Sequence, residues 1–139
     1  MKRPGSRPVV VALLAVLTLA AVALAPMARA NPMKFVVLRG LDKITAHVST
    51  FTAPIGQMVT FGALQITARS CDKRPPEEVP ESAAFLEIVE ARPGEEPQKL
   101  FSGWMFASSP ALSALENPIY DLWVLDCTND SSVPAGTSP

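Results

Sequence analysis

Apolar and polar residues follow two regimes along this chain. From Val9 to Ala25 no charged residue occurs, and all but Thr18 are apolar. Beyond Ala30 the apolar residues recur at every second position in short stretches punctuated by Pro and Gly, the period of half-buried β-strands. Asn31–Met33 reads as a loose terminus and Lys34–Arg39 as a first strand. Lys43–Thr52 alternates well, with Ile44, Ala46 and Val48 on one face and Lys43, Thr45, His47 and Ser49 on the other. Ala53–Gly56 has Pro at the second position and Gly at the fourth, which suits a type I turn. Gln57–Phe61 and Leu64–Ser70 form either a hairpin over Gly62-Ala63, with Gly placed for a II′ turn, or one bulged strand. Leu64, Ile66 and Ala68 share a face, so Cys71 arrives in the polar phase. Either the strand ends before it or a bulge re-aims it.

Asp72–Ser82 holds Pro75, Pro76 and Pro80, which remove donors and favour an extended, stiff surface loop. Ala83–Ala91 is apolar in both phases and reads as a central strand, with a short helix as the alternative. Arg92–Pro97 places Pro-Gly for a type II turn, and Gln98–Phe106 is the returning strand. Ser109 and Pro110 are a cap and a first helical residue for a short helix over Ala111–Glu116. Ile119–Cys127 is the last strand, apolar in both phases and therefore expected in the interior of a sheet. Thr128–Pro139 is small and polar, a disordered tail. The pattern predicts a single small all-β domain over residues 31–127, mainly an antiparallel sandwich or partly open barrel, with one short helix.

The first thirty residues carry a different message. Lys2, Arg3 and Arg7 precede the apolar run, and Ala28-Arg29-Ala30 follows it. Positive n-region, apolar h-region and small-x-small site make a Sec-type signal peptide cleaved between Ala30 and Asn31. The run is at the short end of what spans a bilayer, so removal is favoured over an uncleaved anchor, and no stable membrane span is expected after cleavage. The absence of a nearby cysteine excludes a lipoprotein, and the absence of an Arg-Arg pair excludes a twin-arginine signal. The expected address is the periplasm. Four of the 12 basic residues (Lys2, Arg3, Arg7, Arg29) and none of the 13 acidic ones precede the cleavage point, so the mature chain is net acidic. That charge excludes a phosphate-tracking nucleic-acid binder. Cys71 and Cys127 are the only cysteines. An even pair in an exported chain predicts a Cys71–Cys127 disulfide. The C-x-x-C redox spacing is absent, and one His with two distant Cys is too few for a metal.

Several blocks of the chain resemble a known family: Leu41–Thr45, Phe61–Ile66, Cys71–Glu78 with Pro80–Leu86, Gly103–Leu115 and Tyr120–Cys127. They are similar to domain of unknown function 2155, a family of small exported alphaproteobacterial proteins, over about residues 36–127. The resemblance implies export and a single domain. It implies no activity, cofactor or site residue.

Chemistry-bearing residues are few. His47, the only histidine, sits on the polar phase of its strand, where a solvated side chain is the ordinary outcome, and there is no G-x-S-x-G nucleophile elbow. Glu77, Glu78 and Glu81 gather near Lys73 and Arg74. A solvated loop is their plainest explanation, and a partner-binding loop the alternative, because a stiff segment loses little entropy on docking. Trp104, Met105, Phe106, Tyr120 and Trp123 concentrate aromatic and apolar area in the C-terminal third, as core packing or as a protein contact. With no nucleophile–base set, metal cluster or phosphate loop, no cofactor is expected. The expected function is a non-enzymatic protein-binding or accessory module of the cell envelope. Its candidate contact residues are Lys73, Arg74, Glu77, Glu78, Trp104, Leu112 and Leu115. The alternative is a binder or hydrolase of a small envelope ligand such as a glycan, which a concave pocket lined by Trp104 or Trp123 beside Asp or Glu would favour.

Overall fold

The computed structural model describes residues 31–132. The signal segment, with Ala28 and Ala30 of the cleavage site, lies outside the described residues, as does the tail from residue 133. Eight strands run through the described part: β1 (Asn31–Pro32), β2 (Phe35–Asp42), β3 (His47–Pro54), β4 (Met58–Phe61), β5 (Leu64–Lys73), β6 (Ser82–Glu90), β7 (Gln98–Phe106) and β8 (Tyr120–Thr128). They make two antiparallel sheets, a larger one in the order β1-β5-β6-β7, with β4 sharing the β1 edge of β5, and a smaller one in the order β3-β2-β8. The all-β expectation holds, as a sandwich and not a closed barrel.

The inner faces follow the alternation. Leu64, Ile66 and Ala68 of β5, Ala84, Leu86 and Ile88 of β6, Leu38 of β2, and Leu122 and Val124 of β8 are buried in one core. Each fully buried Leu or Ile contributes roughly 1.5–3 kcal/mol. Phe61 stacks on Phe51 at 5.8 Å and meets Tyr120 edge-on at 5.9 Å, which closes the end of the sandwich away from the disulfide.

Two bulges set the phase of the cysteines. In β5, Ala68 pairs with Leu86 and Ser70 with Phe85, so Arg69 is the extra residue. In β8, Val124 pairs with Leu38 and Asp126 with Val37, so Leu125 is extra. Each bulge puts two successive residues on the outer face and brings the cysteine after them inward. Cys71 and Cys127 are both buried and joined, with Cα atoms 5.6 Å apart. The bridge ties β5 of the larger sheet to β8 of the smaller one.

The Gly62-Ala63 hairpin forms as expected, joining Phe61 to Leu64. Gly62 has a positive φ and Ala63 does not, as a II′ turn requires. The Arg92–Glu95 turn likewise has Gly94 at positive φ in its third position.

Other local expectations are corrected. Lys43–Ala46 is a turn, not the start of a strand, and Ile44 is 76% exposed. The Asp42 carboxylate accepts the N–H groups of Ile44 and Thr45 at 2.9 and 3.2 Å, and this Asx-type competition stops the strand. The turn after β3 is Pro54–Gln57, with Gly56 at positive φ in the third position, so it is of type II character instead of type I. Asn31–Pro32 is not loose, because it pairs with Lys73 and Asp72 of β5. The central strand expected over Ala83–Ala91 is present as Ser82–Glu90, between β5 and β7, and its helical alternative falls away. The proposed helix shrinks to one 3-10 turn, Pro110–Ser113, and the Ser109 side chain makes no cap hydrogen bond. β8 lies at an edge of its sheet instead of the interior. Of its outward apolar residues, Trp123 is half-buried and Leu125, the bulged residue, is exposed.

Candidate functional site

The Pro-rich segment narrows to a loop, Arg74–Glu81, because Asp72 and Lys73 still belong to β5 and Ser82 already belongs to β6. The Arg74 N–H donates to the Glu81 carbonyl at 3.0 Å and closes the loop at its base. The Glu78 N–H donates to the Pro75 carbonyl at 3.1 Å, making a turn inside it. With φ fixed at three prolines, the loop is held as a shaped projection.

Two carboxylates pin the base. Glu81 Oε1 accepts from the N–H groups of Ser82 and Ser108 at 3.0 and 3.1 Å, and Oε2 accepts from Ser108 Oγ. Desolvation opposes the charged form of Glu81, but the Ser108 and Ser82 donors and the Arg74 charge outweigh it and hold the carboxyl below its ordinary range. Asp126 Oδ1 accepts from Ser82 Oγ and from the Cys127 N–H, both at 2.8 Å, and Lys73 Nζ lies 2.8 Å from the same oxygen and donates to Oδ2 at 2.9 Å. Desolvation again works against the charge, and the Lys73, Ser82 and Cys127 donors again win, so this carboxyl is also held low. Ser82 is buried between the two systems and accepts a further hydrogen bond from the Cys127 N–H at 3.3 Å.

A hollow flanks the loop on each side. One, of about 440 Å³, is lined by Lys73 to Pro76, Glu78 and Pro80 to Ser82 of the loop side, and by Ala107, Ser108, Leu125 and Asp126 opposite. The other, of about 390 Å³, lies on the outer face of the larger sheet and is lined by Asp72, Lys73, Arg74, Glu81, Ala83, Trp104 and Phe106. Lys73, Arg74 and Glu81 border both. A third hollow, of about 300 Å³, lies between the 3-10 segment and Trp123, with Leu115 and Asp121 in its lining.

The structure thus gathers Lys73, Arg74, Glu78 and Trp104 at one end of the sandwich. Glu77 is exposed on the loop beside Glu78 and lines neither hollow. Lys73 is engaged with Asp126, whereas Arg74 makes no ion pair among the described residues. Trp104 is 39% exposed, and its ring meets Phe85 edge-to-face at 5.7 Å. Leu112 is 74% exposed on the 3-10 turn, whereas Leu115, at 5%, is packed in the core and borders the third hollow. His47 is exposed at the opposite end, since it pairs with Asp42, which pairs in turn with Tyr120 at the far end of β8 from Cys127. Asp72, Ser82 and Asp126 were not visible as site residues, because they meet only across strands. One signal was available: Lys73 and Asp126 each lie within two positions of a cysteine, so a disulfide already implies that they are neighbours.

The family model described as an uncharacterized protein conserved in bacteria (DUF2155) matches residues 36–127. The chain belongs to this family. The matched DUF2155 segment runs from the first buried residue of β2 to the second cysteine, and so takes in both sheets, the disulfide and the Pro loop. An uncharacterized protein of Rickettsia prowazekii (strain Madrid E) is 34% identical over 87 residues, 63% of this chain and 56% of the relative. The chain therefore spans little more than half the length of that relative. No solved structure matches it. Among the described residues, no helix is long and apolar enough to cross a membrane.

Proposed function

We propose that this DUF2155 protein is exported, cleaved after Ala30, and acts in the periplasm as a non-enzymatic binding or accessory module whose contact surface is the loop end of the sandwich. The observation that carries the reading is the Arg74–Glu81 loop itself. It is stiffened by three prolines, fastened at its base by Glu81, flanked by two hollows, and carries Val79, which is 76% exposed. A preformed projection of this kind loses little entropy on docking. Binding is favoured over hydrolysis because the loop-end carboxylates Glu81 and Asp126 are already occupied, Glu81 by the Ser82 and Ser108 donors and Asp126 by Lys73, Ser82 and the Cys127 N–H. Export is supported by the order of parts in the first thirty residues and by the disulfide, which persists in oxidising compartments.

The test is a photo-crosslinking amino acid placed at Val79 in the protein expressed in its own cells, with adducts identified by mass spectrometry. The expected result is one reproducible protein adduct, lost when the Arg74–Glu81 loop is shortened to a tight turn, on a protein whose intact mass begins at Asn31 and lacks two hydrogens relative to the dithiol. Crosslinks no more specific than those from a probe at Ile44, at the far end of the molecule, would overturn the contact surface. A mass that retains the first thirty residues would overturn the cleavage.

A further inference from the structure

The hollow on the outer face of the larger sheet has a chemistry distinct from the loop tip. Its floor is sheet: Ala83 pairs with Phe106, and the adjoining Phe85 pairs with Trp104. The edge-to-face contact of Phe85 with Trp104 fixes the indole, so an exposed aromatic surface is presented on rigid strands and not on a mobile loop. Around this apolar floor stand four charged side chains. Two are already committed, Glu81 to Ser82 and Ser108, and Lys73 to Asp126. The other two have hydrogen-bonding capacity to spare. Among the described residues the Asp72 carboxylate accepts only Ser70 Oγ, at 3.3 Å, and neither Asp72 nor Arg74 makes an ion pair.

Charge narrows the ligand class. Asp72 and Glu81 balance Lys73 and Arg74, so the rim has no net charge and selects neither a phosphate nor a polycation. What remains is a neutral molecule with one apolar face and a margin of hydroxyls. A carboxylate and a guanidinium are planar groups that hydrogen-bond adjacent hydroxyls two at a time. The hollow's volume, about 390 Å³, falls in the range of roughly 300–1,000 Å³ usual for small-ligand sites.

We infer that this hollow is a sugar site, in which a neutral pyranose packs its C–H face on Trp104 and Phe106 while Asp72 and Arg74 hydrogen-bond its hydroxyls. The inference rests on the loop end being a binding surface, but not on the partner there being a protein.

The chain has two tryptophans, so each indole N–H gives its own signal in a two-dimensional nitrogen–proton spectrum of the oxidised protein. The probes are the neutral trimers of N-acetylglucosamine and of glucose, with glucuronate as an acidic control. At least one neutral trimer is expected to shift the Trp104 signal saturably with a Kd of about 1 mM, while the Trp123 signal stays in place. Arg74→Ala, at an exposed position, is expected to weaken binding about tenfold with the spectrum otherwise preserved. Trp104→Phe is expected to retain part of the affinity and Trp104→Ala none. No saturable shift with either neutral trimer, equal shifts at both indoles, or binding of glucuronate alone would overturn the inference. If the Val79 crosslink persists while the sugars fail, the sugar site falls and the protein contact stands. If both fail, the loop end is not a binding surface.

Discussion

Gly62 occupies a position that two independent requirements reserve for glycine. Its φ is +56°, and a Cβ built there would lie 2.6 Å from the Tyr120 hydroxyl and 2.7–2.8 Å from two ring carbons. The hydroxyl in turn accepts the Ala63 N–H at 3.1 Å. Gly62→Ala should therefore cost more than the roughly 1 kcal/mol of an unfavourable φ alone, about 2–3 kcal/mol in urea unfolding. Adding Tyr120→Phe should recover little, since the ring carbons clash as well. Asp126 and Glu81 should make the fold sensitive to acid. Both carboxyls are held lower in the folded state than in the unfolded chain. Their contribution is therefore fully present above the ordinary carboxylate range and is lost as pH falls through the lower folded values, below about pH 4. Asp126→Asn should lower stability at pH 7 by about 1 kcal/mol, a modest figure because the pair is partly solvated. It should also flatten the acid limb of the stability-versus-pH curve measured by urea unfolding at pH 7 and pH 3. A variant as acid-sensitive as the parent would show that Asp126 does not carry the effect.

The strands show a surplus of one residue in β5 and one in β8, and this makes opposite predictions for a deletion and an insertion. Removing Leu125 takes out the residue that has no partner in the ladder, so Cys127 stays opposite Val36 and the bridge should still form. Inserting one alanine between Asp126 and Cys127 should turn Cys127 outward and leave two titratable thiols. Thiol counting under denaturing conditions separates the two results. At this scale much of the fold was legible in the sequence. The Gly62 and Gly94 turns, the broken phase at Cys71 and the prolines of the loop are each signalled within a few residues, and each element formed close to where its signal lay. What was not legible depended on competition or on distance. Ile44, Ala46 and Val48 alternate as well as any strand, yet the Asp42 side chain captures the backbone of Ile44 and Thr45 and makes a turn there. The bulge in β8 was hidden because Leu125 extends a run that is apolar in both phases. The Ser82–Asp126 and Glu81–Ser108 contacts join residues 44 and 27 positions apart and leave no local trace.

For the whole molecule, the Cys71–Cys127 bridge is a side-chain cross-link between the sheets, added to the backbone connections that already join them. It closes a loop across 56 residues, for which the chain-entropy model gives about 4 kcal/mol as an upper figure. Cys71→Ser, or reduction of the parent, should lower the melting temperature by more than any single substitution discussed above, and the two treatments should agree. A serine variant that melts with the parent would mean that the core alone sets the stability. The position of the bridge matters as much as its strength. β8 is an edge strand held in its sheet by β2 alone, and edge strands detach most easily from their ends. Cys127 lies one residue before the end of β8. A pull on the C-terminal side is therefore arrested almost where it enters and is carried by a covalent bond into β5, in the other sheet. The hydrogen bonds of β8 are spared from parting one at a time, so a load or a fused partner attached beyond Thr128 would strain a clamp and not open a zipper.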